Sequence, residues 1–150
     1  MKKIDGFTLI EILIVIGIIA VLAGIVLVAI NPGRQFAQAR DAQRISNINA
    51  ILNAIGQYTI DNKGMLPPGI PFKSEPAIEI NEVICISIVP TYLPALPTDP
   101  SSSLRGSSIT DCNNVSTSTV LYKISQDNNG RITISTDRGE IGTSTISVTR

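Results

Sequence analysis

From Ile12 to Ile30 the chain reads ILIVIGIIAVLAGIVLVAI, 19 residues with neither a charge nor a hydrogen-bonding side chain. At about 1.5 Å per residue a helix of this length covers roughly 28 Å, close to the ~30 Å hydrocarbon layer of a bilayer. Phe7 to Ile10 extend the segment and leave room for tilt. A buried core helix is the competing reading, and it fails on size. What remains of a 150-residue chain is too little to surround a helix that is apolar on every face. Residues 7–30 are therefore expected to span a membrane. A secretory signal peptide fits badly, because its apolar region runs for about 7–15 residues before a small-residue cleavage site. Here the run is longer and ends in Asn31-Pro32-Gly33-Arg34. Lys2 and Lys3 precede the span and Arg34, Arg40 and Arg44 follow it, so charge counting leaves its orientation open.

Composition removes several function classes. Basic and acidic side chains balance at 12 each, so no net field recruits nucleic acid, and none is predicted as a partner. There is no His, which excludes histidine general bases, His-ligated metals and Ser-His or Cys-His nucleophile pairs. No catalytic residue, enzyme activity or cofactor is predicted. Glu75, Glu79 and Glu82 fall in a proline-rich stretch and look like solvated charge. Two cysteines cannot form a four-ligand zinc site, and Asp111, Asp127 and Asp137 lack the regular ligand spacing of a calcium loop, so no metal is expected.

Beyond the span, Asn31-Pro32-Gly33 either caps a new helix or kinks a continuous one, since Pro32 has no backbone N–H to donate. From Arg34 to Asn62, Ile45, Ile48, Ile51, Leu52, Ile55 and Tyr58 recur at steps of three and four, which predicts an amphipathic helix within residues 31–62. The charges of Arg40, Asp41 and Arg44 read most simply as its solvated face. Eight of the nine prolines lie between Pro67 and Pro100, marking a connector with short elements. In it, Val83–Val89 (VICISIV) favours a strand by β-branching, with a short buried helix as the alternative. From Ser101 onward 19 of 50 residues are Ser or Thr, which suits a solvent-facing sheet, its hydroxyls solvated or glycosylated, or a disordered tail, and periodicity favours the sheet. Val120, Tyr122 and Ile124 alternate with their neighbours, Asp127–Gly130 makes a turn, Ile132 and Ile134 alternate again, and Ile146 and Val148 follow a break at Gly139–Gly142. The expected fold is α+β: a long N-terminal helix packed against three short antiparallel strands, with residues 63–150 completing a small head.

The entrance to the span is the most specific part of the chain. A basic leader, Met-Lys-Lys-Ile-Asp, is followed by Gly6-Phe7-Thr8-Leu9-Ile10-Glu11 and then by the uninterrupted apolar helix. This order resembles the processing site of type IV prepilins and of the pseudopilins of type II secretion. The resemblance implies that a membrane aspartyl peptidase removes residues 1–6 after Gly6, methylates the new amine of Phe7, and leaves the apolar helix in place. It implies a single-pass inner-membrane protein whose head lies outside the cytoplasm. Its expected partners are lipid before assembly, an inner-membrane assembly platform, and other pilin-like subunits in a homo- or hetero-polymeric filament. Tyr92-Leu93-Pro94-Ala95-Leu96-Pro97-Thr98-Asp99-Pro100 also resembles a segment of major pseudopilins.

Glu11 carries an argument of its own. A carboxylate at the edge of an apolar helix costs a few kcal/mol unless paired or neutralised. In a chain beginning at Phe7 it lies about 6 Å along the helix from the free amine. The resemblance implies that it pairs with the amine of a neighbouring subunit and sets assembly register; the alternative is a solvated Glu11 at headgroup depth. With the head outside the cytoplasm, Cys85 and Cys112 are expected to form a disulfide, two unpaired thiols being the alternative. A different class of protein stays open as well: an uncleaved single-span receptor whose head binds a ligand.

Overall fold

The computed structural model describes residues 6–71, 76–115 and 117–150; the basic leader and Glu75 lie outside them. The chain divides into two units, one ending at Phe36 and one beginning at Ala37.

The first unit is dominated by α1 (Leu9–Ile30), which buries none of its residues. It is long and apolar enough to cross a membrane. Asn31 ends it in the left-handed region, at φ 47°, a conformation that Asn tolerates better than most residues. Pro32 then opens α2 (Pro32–Asp61) at the position where a missing N–H costs least. The Arg34 N–H donates to both the backbone oxygen of Asn31, at 3.1 Å, and its side-chain Oδ1, at 3.3 Å. The junction is thus a stop and a fresh start, with Asn31 serving both ends.

The second unit is the head. One stripe of α2 is buried, through Ala37, Asp41, Arg44, Ile48, Ile51, Leu52, Ala54 and Ile55. Ile45, expected in that stripe, is instead 45% exposed. Against the stripe pack a short strand β1 (Ile78–Glu79), a helix α3 (Glu82–Ile88), a 3-10 turn at Cys112–Asn114, a helix α4 (Thr117–Val120) and three further strands, β2 (Lys123–Gln126), β3 (Ile132–Thr136) and β4 (Ile146–Thr149). The sheet is antiparallel in the order β1-β2-β3-β4. Register pairs Ile124 with Ile134 and Ile134 with Val148. On β3, Ile132, Ile134 and Thr136 are buried, so one face of the sheet meets α2. Asp127–Gly130 turns the β2–β3 hairpin. There the Asp127 carboxylate accepts from the N–H groups of Asn129 and Arg131, and Gly130 takes φ 83°.

The α+β architecture matches the expectation, and three local readings are corrected. Val83–Val89 is not a strand. Asn81 caps α3 by accepting from the Ile84 N–H at 3.2 Å, and the buried residues Ile84, Cys85 and Ile88 recur at helical spacing. The sheet has four strands, the extra one being only two residues long, below what alternation can reveal. Val120 closes α4, and Leu121 at φ 60° turns the chain, so the strand begins only at Lys123. In the connector, Ile80, Ile84, Ile88 and Leu96 are fully buried, so this stretch supplies much of the head's core.

Cys85 on α3 is bonded to Cys112 in the 3-10 turn, with their Cα atoms 5.6 Å apart and a separation of 27 in sequence. Closing a loop of this length contributes about 3 kcal/mol on the chain-entropy estimate. The double variant Cys85→Ala/Cys112→Ala is expected to lose about that much in denaturant unfolding of the detergent-solubilised chain. A change below about 1 kcal/mol would mean that packing alone holds α3 in place.

Candidate functional site

Gly6 and Phe7 precede α1 and are exposed. Thr8 is extended (φ −81°, ψ 149°) and is the N-cap of the helix. Its Oγ1 accepts from the Glu11 N–H at 3.3 Å, and the Glu11 carboxylate reaches back to accept from both the Thr8 N–H and its hydroxyl, each at 2.8 Å. This is a capping box built from Thr8 and Glu11, which satisfies donors that every helix N-terminus leaves open and places an anion at the positive end of the helix dipole. Glu11 thus has an intrachain partner that the sequence reading passed over. Thr at N-cap and Glu three positions later, directly before an apolar run, was the available signal.

A second polar constellation lies inside the head. Arg44 is 1% exposed and Asp99 fully buried. The guanidinium grips Asp99 with two bonds, Nε to Oδ2 at 2.9 Å and Nη2 to Oδ1 at 3.1 Å. Its Nη1 donates to Asp41 at 2.7 Å and to Glu140 at 2.8 Å. Arg40 also pairs with Glu140 through Nε and Nη2. Asp41 accepts from the backbone N–H groups of Glu140 and Ile141, and Asp99 accepts from the N–H and hydroxyl of Ser101. Two guanidinium groups therefore meet three carboxylates, and main-chain donors complete the remaining acceptor positions. This corrects the reading of Asp41 and Arg44 as a solvated face. They fall on the buried stripe at 37, 41, 44, 48, 51 and 55; Arg44 is answered by Asp41 and by the sequence-distant Asp99 and Glu140, and Asp41 by Arg44 and the N–H groups of Glu140 and Ile141.

The electrostatics follow. Burial pushes the Asp99 carboxyl up, but bonds from Arg44 and Ser101 outweigh it and the net shift is downward. Arg40, then Arg44, hold the Glu140 carboxyl down at about 2. Burial pushes the Tyr122 hydroxyl up to about 12, where it accepts from Asn47 at 3.0 Å. Every carboxylate here is engaged by a guanidinium, so the constellation acts as a clasp joining α2, the connector and the β3–β4 loop. The loop itself is tight: the Gly139 N–H donates to Ser144 O at 2.8 Å, and a Cβ at Gly139 would lie 2.2 Å from Thr143 O. Gly139→Ala must therefore open the loop and withdraw the Glu140 and Ile141 donors from Asp41. A loss of about 2–3 kcal/mol in head stability is expected from denaturant unfolding, and wild-type stability would contradict this geometry.

Gly6, Phe7, Glu11 and Pro32 lie in the first unit, and the bonded Cys85 and Cys112 in the second. Among the described residues, no group of three or more Cys, Asp or Glu side chains is arranged to hold a metal.

Residues 1–27 match the family model described as the prokaryotic N-terminal methylation motif. The chain therefore carries the prepilin-type signal found on type IV pilins and pseudopilins, running from the leader well into α1. No curated protein and no solved structure matches the chain in the corresponding comparisons.

Proposed function

We propose that this chain is a structural subunit of a type IV pilus-like or type II secretion pseudopilus filament, stored in the inner membrane and polymerised through its N-terminal helix. The observation that carries the reading is the overlap of the methylation motif at residues 1–27 with α1, an apolar helix that buries none of its own residues. Such a helix needs lipid before assembly and other helices after it. In this reading residues 1–6 are a leader removed after Gly6, Phe7 receives the methyl group, residues 7–30 form the transmembrane and assembly helix, and residues 31–150 build the extracytoplasmic part. Glu11 exchanges its intrachain Thr8 donors for the free amine of a neighbouring subunit, which fixes axial register. The work is mechanical, and no catalysis is assigned to it. Similarity of Tyr92–Pro100 to major pseudopilins favours the secretion-type filament over a long surface pilus.

The test is expression with the peptidase and assembly platform, followed by electron microscopy of cells and of sheared material. A short or periplasmic polymer containing this chain supports the secretion type. Long surface fibres would reassign it to a true pilus, and absence of any polymer in a processing-competent host would contradict the proposal.

A further inference from the structure

The head carries two unpartnered apolar surfaces whose charges complement each other. The first is a groove of about 500 Å³ between the C-terminal half of α2 and the start of β3, floored by Leu52, Ile55 and Ile132 and walled by Ile60, which is 80% exposed. Gly56 lies in this groove. Glycine in a helix interior is destabilising relative to alanine, yet a Cβ here would meet nothing of the chain within 4 Å. Among the described residues no close contact requires the glycine, and its bare backbone leaves room for another chain to approach α2 closely. Among the described residues, the side chains of the lining include one cation, Arg150, and no anion. The Arg150 guanidinium donates to Asn49 and Asn53, and it meets no carboxylate among the described residues.

The second surface is the outer face of α3. Val83 is 48% exposed and Ile86 56%, and the exposed Glu82 beside them is the only charge of the helix. Glu82 has no cation partner among the described residues. Two branched apolar side chains next to a carboxylate thus match a branched apolar groove next to a guanidinium.

We propose that the α2–β3 groove of one copy receives the α3 face of a second copy, with Val83 and Ile86 over Gly56 and with Glu82 against Arg150. Because one copy presents both surfaces, the contact is head to tail and repeats without using itself up, which is the geometry a filament requires. The inference rests on the filament reading and adds the surface through which heads would register.

A photo-crosslinking amino acid at position 60 of the full chain, expressed with the assembly machinery, tests it directly. Crosslinked dimers whose peptides join position 60 to residues 82–88 of another copy are expected. Arg150→Glu and Glu82→Lys should each lower dimer yield about tenfold, and the double variant should restore it to within about twofold, since only a direct pair is rescued by reversal. Gly56→Leu should abolish the crosslink while leaving the Cys85–Cys112 disulfide intact, a readout that separates a filled groove from a misfolded head. Crosslinks to another face of the chain, to lipid or to a different protein overturn the contact. Processed, polymerised chains with no crosslink to 82–88 also overturn it and leave the subunit reading standing. Chains that keep their leader and yield neither polymer nor dimer overturn both.

Discussion

Arg44→Met should destabilise the head by about 3–5 kcal/mol, because it strands Asp99 and Asp41 as buried carboxylates without their cation. That is a large share of the roughly 5–15 kcal/mol that holds a typical domain together. Arg40→Met, by contrast, removes a half-exposed partner of Glu140 and should cost about 1 kcal/mol or less. Denaturant unfolding of both variants in detergent separates the two cases, and equal losses would mean that the buried position of Arg44 has no energetic consequence. The same clasp has a pH signature. Glu140 ionises at about 2 in the folded head against an ordinary 4.5, and Asp99 is shifted the same way. A carboxyl with a lowered folded pKa contributes stability that is complete above its unfolded value and is lost as pH falls through the folded one. The head should therefore keep its stability down to about pH 4.5 and weaken progressively toward pH 2. Arg44→Met should remove the Asp99 part of that acid limb and Arg40→Met most of the Glu140 part, and a limb unchanged in both variants would assign it to other groups.

Glu11→Ala should leave membrane insertion and leader removal intact and reduce filament yield at least tenfold, equivalent to about 1.4 kcal/mol per subunit contact. The reason is the cost of an anion beside an apolar helix. Within one chain the Thr8 N–H and hydroxyl meet that cost, and in the proposed polymer the neighbouring amine would do so with a full opposite charge. Quantifying sheared filaments against processed protein in the membrane checks the expectation. Normal yield from Glu11→Ala would mean that register is set elsewhere, with the head contact between α3 and the α2 groove as the next candidate.

What the sequence made legible follows from the range of the interactions involved. The apolar helix, the three-and-four spacing of α2, the Asp127–Gly130 turn and the β3 and β4 alternation are local patterns, and the structure has the helices, the buried stripe, the turn and the strands where they point. Val83–Val89 was ambiguous because six apolar residues in a run of seven suit a strand or a helix; the cap from Asn81 and the burial of Ile84 and Ile88 decide for the helix. Arg44 misled because charge ordinarily signals exposure. Two of its three carboxylate partners are 55 and 96 positions away, and no periodicity in α2 announces them. Its register did: Asp41 and Arg44 continue the stripe of Ile48, Ile51 and Ile55. At the N-terminus the methylation motif was legible in full, because a short linear recognition site needs no tertiary context.

The most direct measurement on the central claim is the intact mass of the chain extracted from membranes of a host that has the prepilin peptidase. A single species that lacks Met1–Gly6 and carries one added methyl group on the amine of Phe7 is expected. A chain that retains its leader there, unmethylated, would contradict it.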